Sequence, residues 1–322
     1  MDAPPVVPAL SRVGLTGVEK VIRLGVDERS AQPFAARLDC FVELDPTRAG
    51  THVPRFDAVI SDALLDIVVG AAGIGMRAEQ LAQEVAERIR ERQDARRAEV
   101  SITARFPERR PAPVSGTATQ EISTLYGRAV ASEHGTRRTL GVSAQGMLAS
   151  PHAQGVLATR TRERLAAGGF SEAEIERVLE RIPVATDDQI GVGTLHLGCP
   201  EDCALELDVG AMLAIVEGAM SSEIFELMKR SDEGAVVERA HRRPRFVDDC
   251  VRAMIAGVLE RFADAPDAAF VSVAQESTET IHRHHVTAER AGLFGELRSE
   301  LRTGEPVGRP TSMRRWLEAA DR

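Results

Sequence analysis

Ala98-Glu-Val-Ser-Ile-Thr-Ala-Arg-Phe106 places Val100, Ile102, Ala104 and Phe106 at every second position, with polar or charged residues between. Side chains of an extended strand point alternately to its two faces, so this stretch predicts a strand with one buried side. Arg37-Leu-Asp-Cys-Phe-Val-Glu-Leu44 reads as a second strand. Between them lie two helical repeats. Phe56 to Val69 sets Val59, Ile60, Ala63, Leu64, Ile67 and Val68 on one face, and Met76 to Arg92 repeats the arrangement beneath a heavily charged outer face. Strand, two helices and strand form a first module.

Working outward, the three prolines and paired arginines of Pro107 to Ser115 predict a loop, and Thr117 to Ala131 resumes a helical pattern. His134 to Gly146 is a glycine-containing polar stretch leading into the second half. Ser171-Glu-Ala-Glu174 is a capping box, in which a Ser hydroxyl and a Glu three residues on satisfy each other's free amides; the helix it starts ends near Arg181. Gly191 to Leu207 alternates in the manner of a hairpin. Helices are expected at Val209–Met220, Ser222–Arg230 and Pro244–Phe262, a strand at Ala269–Ala274, and a last helix from about Val286 to Leu301. The second half repeats the strand and paired-helix grammar of the first. The fold class is α+β, in two related modules over residues 1–145 and 146–322, the second carrying most candidate site residues.

The 322 residues, 43% of them hydrophobic, suffice for one large domain or two modules sharing a core. A net charge of −9 argues against a nucleic-acid partner, because duplex affinity rests on clustered Lys and Arg that displace counterions. A small anion needs only a few converging cations, and Lys229-Arg230, His241-Arg242-Arg243 and Arg137-Arg138 are the candidates. No run of about 18 apolar residues is present, and Met1-Asp-Ala-Pro-Pro-Val-Val-Pro does not lead from a basic end into an apolar stretch, so no membrane partner and a cytoplasmic location are expected. The four cysteines are scattered except for Cys199-Pro-Glu-Asp-Cys203. That spacing suits a metal or a redox pair, but no second pair or matching histidines follow, and the reading is of ordinary partly buried thiols.

Several motifs in order point to a family. Ser11-Arg-Val-Gly-Leu-Thr-Gly17, Gly50-Thr-His52, Gly146-Met147 with Pro151 and Ala153-Gln154, Ala185-Thr186 with Gln189 and Gly191, Lys229-Arg-Ser-Asp-Glu233, Phe246-Val-Asp-Asp-Cys250, and Ile281-His-Arg-His284 with Ala288-Glu-Arg290 resemble GTP cyclohydrolase type IB and its archaeal relatives. The resemblance implies the tunnelling fold, in which tandem modules close a barrel by oligomerisation, so a homotetramer or homodimer with sites between subunits is expected. It implies hydrolytic opening of the guanine imidazole ring at C8, loss of that carbon as formate and rearrangement to a dihydroneopterin phosphate, with a divalent metal to activate water. By the same resemblance Glu223 matches a metal-binding glutamate, Glu238 matches the carboxylate that anchors guanine, and His282 and His284 match paired active-site histidines. Lys229 and Arg230 are then candidates for the nucleotide's anionic part.

The departures fall at the chemistry. Where the family normally has Cys-Pro-Cys, whose first thiol binds metal and whose second is reactive, this chain has Ser150-Pro151-His152. Where the family has His-Asn-Gln-Arg, with a ligand histidine, it has Asp187-Asp188-Gln189-Ile190, and the family's His-Met-Ser-Arg stands as His52-Val53-Pro54-Arg55. Three readings follow. In a rebuilt site, His152 supplies nitrogen, Asp187 and Glu223 supply oxygens, Ser150 adds a hydroxyl or a bound water, and this harder donor set favours Fe(II) or Mn(II) over Zn(II). His152 is alternatively the acid or base that replaces the reactive thiol. The other two readings are a homologue with partial or different chemistry on a purine nucleotide, and a non-catalytic nucleotide-binding protein.

Overall fold

The computed structural model describes residues 12–25, 32–43, 76–200, 203 and 205–318, together with 58, 61 and 62. The expected helix Phe56–Val69 and the motifs Gly50-Thr-His52 and His52–Arg55 lie outside the described residues or almost wholly so, whereas the Ser11–Gly17 motif is described from Arg12 on and runs into the first strand.

Among the described residues nine strands form one antiparallel sheet: β1 (Val13–Leu24), β2 (Gln32–Glu43), β3 (Arg97–Pro111), β4 (Ala118–Ser132), β5 (Gly135–Ala149), β6 (Asp188–Cys199), β7 (Ser222–Glu223), β8 (Phe270–Thr278) and β9 (Val286–Leu293). Their spatial order follows the chain from β1 to β6 and on to β8 and β9, while the short β7 adds to β5. The helices are α1 (Ala78–Gln93), α2 (Pro151–Ala167), α3 (Glu172–Arg181), α4 (Val209–Ala219), α5 (Arg230–Arg242), α6 (Val247–Arg261), α7 (Phe294–Thr303) and α8 (Met313–Glu318). Helix α1 packs on β3 to β5, α4 on β5 and β6, and α6 on α4, β8 and β9. Their apolar stripes meet the inward set of each strand: Phe34, Ala36, Leu38, Cys40 and Val42 of β2, and Ala98, Val100, Ile102 and Ala104 of β3, are all buried. The pattern of two strands, helix and two strands runs through β4 and begins again at β5, so residue 145 falls inside a strand.

Several expectations are corrected, each because partner strands override a local pattern. Thr117–Ala131 is a strand, β4, whose alternate residues Leu125, Gly127, Ala129 and Ala131 are buried and which pairs with β3 along its whole length. Its alanines favour helix, but cross-strand pairing decides. The expected loop Pro107–Ser115 is largely β3. Pairing with β2 ends at Ala104, so Pro107 and Pro111 lie beyond it, where a missing N–H costs no bond to β2. Only residues 112–117 turn, closed by Ala112 N–H to Thr117 O at 2.8 Å with Gly116 at φ 65°. His134–Gly146 is most of β5, and Gly141 there is required because an added Cβ would lie 2.1 Å from the His196 ring. The alternation from Gly191 belongs to the single strand β6, paired on both sides by β5 and β8, and not to a hairpin. Ser222–Arg230 is not a helix: Ser222 and Glu223 pair with Met147 and Gly146, and α5 starts at Arg230. Val286–Leu293 is β9, and only then does α7 begin. Strand β1 and helix α2 were not anticipated. The helix Glu172–Arg181, with Ser171 N–H and Oγ donating to Glu174, matches its capping box.

Two tertiary clamps carry measurable consequences. Asp232, in the first turn of α5, is fully buried and accepts bonds from Val114 N, Ser115 N, Ser115 Oγ and Lys229 N at 2.7–2.9 Å. Burial alone pushes its carboxyl up, but these donors outweigh burial and hold it well below the usual carboxylate range. A depressed value stabilises the fold above the unfolded pKa of about 3.9, and that contribution is lost as pH falls through the folded value. Asp232→Asn should therefore lower the melting temperature at neutral pH, with the gap to wild type narrowing in acid; a pH-independent gap would contradict this clamp.

At the far end of the sheet, on the face opposite the helices, Trp316 of α8 stacks on Phe270 at 5.5 Å and donates from Nε1 to Ala268 O at 3.1 Å. Gly198 makes room, since a Cβ there would lie 2.6 Å from the indole. Trp316 is 2% exposed, so Trp316→Ala should cost about 3–5 kcal/mol in urea unfolding. A loss under about 0.5 kcal/mol, the size of an ordinary surface change, would contradict this seat.

Candidate active site

Strand β5 ends at Ala149, and the chain turns at once into α2 with Pro151 in its first turn, where a missing N–H costs nothing. Ser150 caps that helix, its Oγ accepting from Ala153 N at 3.4 Å. Its backbone is stitched to the start of β6: Ser150 N–H donates to Asp187 O at 3.0 Å, and Thr186 Oγ donates to Ser150 O at 2.6 Å. This turn, the start of β6, the segment after β8 and the start of α6 enclose a cavity of about 290 Å³. Ser150, His152, Asp187, His282 and His284 all line it. The His282 and His284 rings stack at 5.1 Å and 11°, on a bent segment between β8 and β9 rather than on the extended one their spacing of two suggests.

A hydrogen-bonded chain fixes the carboxylates. Ser277 Oγ donates to Gln189 Oε1 at 2.6 Å; Gln189 Nε2 in turn donates to Asp187 Oδ2 at 2.9 Å and Glu279 Oε2 at 2.7 Å. Thr280 Oγ donates to the other Asp187 oxygen. One buried-side amide thus yokes two carboxylates beside three imidazoles. Glu279, Ser277 and Arg245, which also line the cavity, were missed by sequence reading. Glu279 stands two residues before the histidine motif that begins at Ile281, and its position two residues beyond Ser277 was the available signal.

The remaining candidates lie elsewhere on the chain. Glu223 pairs in register with Gly146, four residues back along β5 from Ser150, and its carboxylate is 3.9 Å from Arg239. Glu238 is half-exposed on α5 and pairs with Arg242 at 2.8 Å, while Lys229 caps α5 and Arg230 opens it. Helix α5 is nevertheless tied to the cavity's walls. Its His241 Nε2 lies 3.0 Å from Asp188 Oδ1, and Gln154 Nε2 donates to His241 O at 2.6 Å and Val184 O at 2.9 Å. Among the described residues no three His, Cys, Asp or Glu are gathered closely enough to hold an ion as they stand. By chemistry the cavity's donors, imidazole and carboxylate, suit a hard or borderline divalent ion.

The architecture is that of the tunnelling fold. A solved structure of a highly active BTUO mutant aligns over 88% of this chain and 100% of its own, with TM-score 0.50 at 11% identity. Uricase from Arthrobacter globiformis aligns over 96% and 99%, with TM-score 0.49 at 11% identity. Sequence defines the family more narrowly. The family model for type I GTP cyclohydrolase FolE2 matches residues 2–288, and the chain belongs to that family. It is 36% identical over 301 residues to GTP cyclohydrolase MptA of Haloarcula marismortui, covering 93% of this chain and 96% of that one. To the MptA of Methanococcus aeolicus it is 32% identical over 305 residues, covering 93% and 97%. Among the described residues no helix is long and apolar enough to cross a membrane.

Proposed function

We propose that the chain is a GTP cyclohydrolase-type hydrolase that opens the imidazole ring of GTP or a related guanine nucleotide at C8. The observation that carries this reading is the convergence, in a member of the family, of His152, Asp187, His282 and His284 on one cavity. Hydrolysis at C8 needs a water made nucleophilic, a proton taken from it and a proton returned to the departing ring nitrogen. Imidazoles are suited to both transfers near neutral pH. His282 and His284 are assigned to proton transfer, and Asp187, held by Gln189 and Thr280, stays in place without rearrangement.

A divalent ion, Fe(II) or Mn(II) rather than Zn(II), would be held by His152 and Asp187 with Ser150 at its edge, and when bound supplies a Lewis acid for the attacking water. Glu223, with Glu238, Lys229 and Arg230 as the guanine and phosphate contacts, stands on the α5 side of the protomer, outside this cavity. These groups would complete the site from a neighbouring copy in a homodimer or homotetramer. Sedimentation should then show an oligomer at micromolar concentration. Refolding the inactive His152→Ala and Glu238→Gln chains together should restore part of the GTP turnover, because some sites pair two intact halves. A monomer, or a mixture as inactive as its parts, would contradict the shared site. Formate released from GTP is the direct readout of the activity itself.

A further inference from the structure

We propose that Cys199 and Cys203 form a modification site, a reversible dithiol–disulfide pair at the end of β6 remote from the nucleotide cavity. Strand β6 ends at Cys199, and the turn that follows is closed by Cys203 N–H donating to Pro200 O at 3.1 Å. This folds the chain back so that the Cys203 and Cys199 sulfurs lie in direct contact, 2.6 Å apart. Both thiols are free and only partly buried, whereas Cys40 and Cys250 are fully buried and burial pushes each of these up to about 12. The turn thus sets two accessible sulfurs in contact and leaves two inert ones as internal controls.

The chemistry is thiol–disulfide exchange with a low-molecular-weight disulfide as oxidant. One protein thiolate attacks that disulfide, forming a mixed disulfide and expelling a thiolate. The second protein thiolate then attacks the protein sulfur of the mixed disulfide and expels the other. Two protein thiols and one small disulfide become one protein disulfide and two small thiols, which carry away both protons. The bridge closes the turn between β6 and the Leu205–Asp208 segment, whose Asp208 caps α4. It lies eleven residues from the Asp188 end of β6, about 36 Å along the strand, and so acts on this connection and not on the cavity.

The test equilibrates the full folded chain with glutathione disulfide, quenches it in acid, alkylates it and weighs the peptide spanning 182–229. The expected result is an unalkylated peptide 2 Da lighter than its reduced form, reversed by dithiothreitol, with Cys40 and Cys250 still reduced. Cys199→Ser and Cys203→Ser should each instead trap a stable glutathione adduct on the cysteine that remains, since no second thiol is left to resolve it. GTP turnover should be unchanged in either variant. Full alkylation of both cysteines after equilibration, or a metal ion retained by the pair through gel filtration, would overturn the proposal.

Discussion

His152→Ala should lower GTP turnover by about two to four orders of magnitude while leaving the fold intact, the range expected when a group that transfers protons or orients water is removed. His152 sits in the first turn of α2, faces the cavity and belongs to no hydrophobic cluster, so truncation leaves no core cavity. Metal content separates its two possible tasks. As a ligand, His152 and Asp187 should each be needed for a full equivalent of Fe(II) or Mn(II) after anaerobic reconstitution, and each alanine variant should bind substoichiometrically. If His152→Ala keeps its metal while losing turnover, the imidazole is the acid or base. Full retention in both variants, or no metal in the wild type, would contradict the metal assignment.

Glu238→Gln should abolish tight guanine nucleotide binding with little change in stability. The guanine edge presents adjacent N–H and amino donors, which a carboxylate meets with two acceptors; an amide offers one acceptor and one donor. The mispaired group costs about 1–3 kcal/mol or more, which is about fivefold to more than a hundredfold in affinity. The fold itself loses only the exposed i,i+4 pair with Arg242, worth well under about 1 kcal/mol. Calorimetry with GTP together with a thermal melt reads both quantities. Unchanged affinity would dismiss the anchor, and a collapse in stability would show Glu238 to be structural.

What could be read in the sequence divides along physical lines. Alternation in β2 and β3 and the stripe of α1 are set by local periodicity against one buried face, and these were legible. So was the capping box at Ser171, a contact spanning only three residues. β4, β5 and β9 were not legible, because their alanines, glycines and charges carry weak local preference and their state is decided by strands distant in sequence. Gly141 shows this most clearly: read locally it loosens a strand, but in the fold it admits the ring of His196. At the site, the motifs at Ser150–His152, Asp187 and His282–His284 named residues that share a cavity. The yoke of Gln189 to Glu279 could not be read, because it joins residues ninety positions apart. Nor could the placement of Glu223 and Glu238 outside that cavity, which depends on where β7 and α5 sit.

The most direct test of the account is incubation of purified, metal-reconstituted protein with GTP, with formate measured against nucleotide consumed and the product weighed by mass spectrometry. The account predicts one formate per GTP and a product lacking C8. GTP returned unchanged, or a product that has gained water but kept all its carbon, would contradict it.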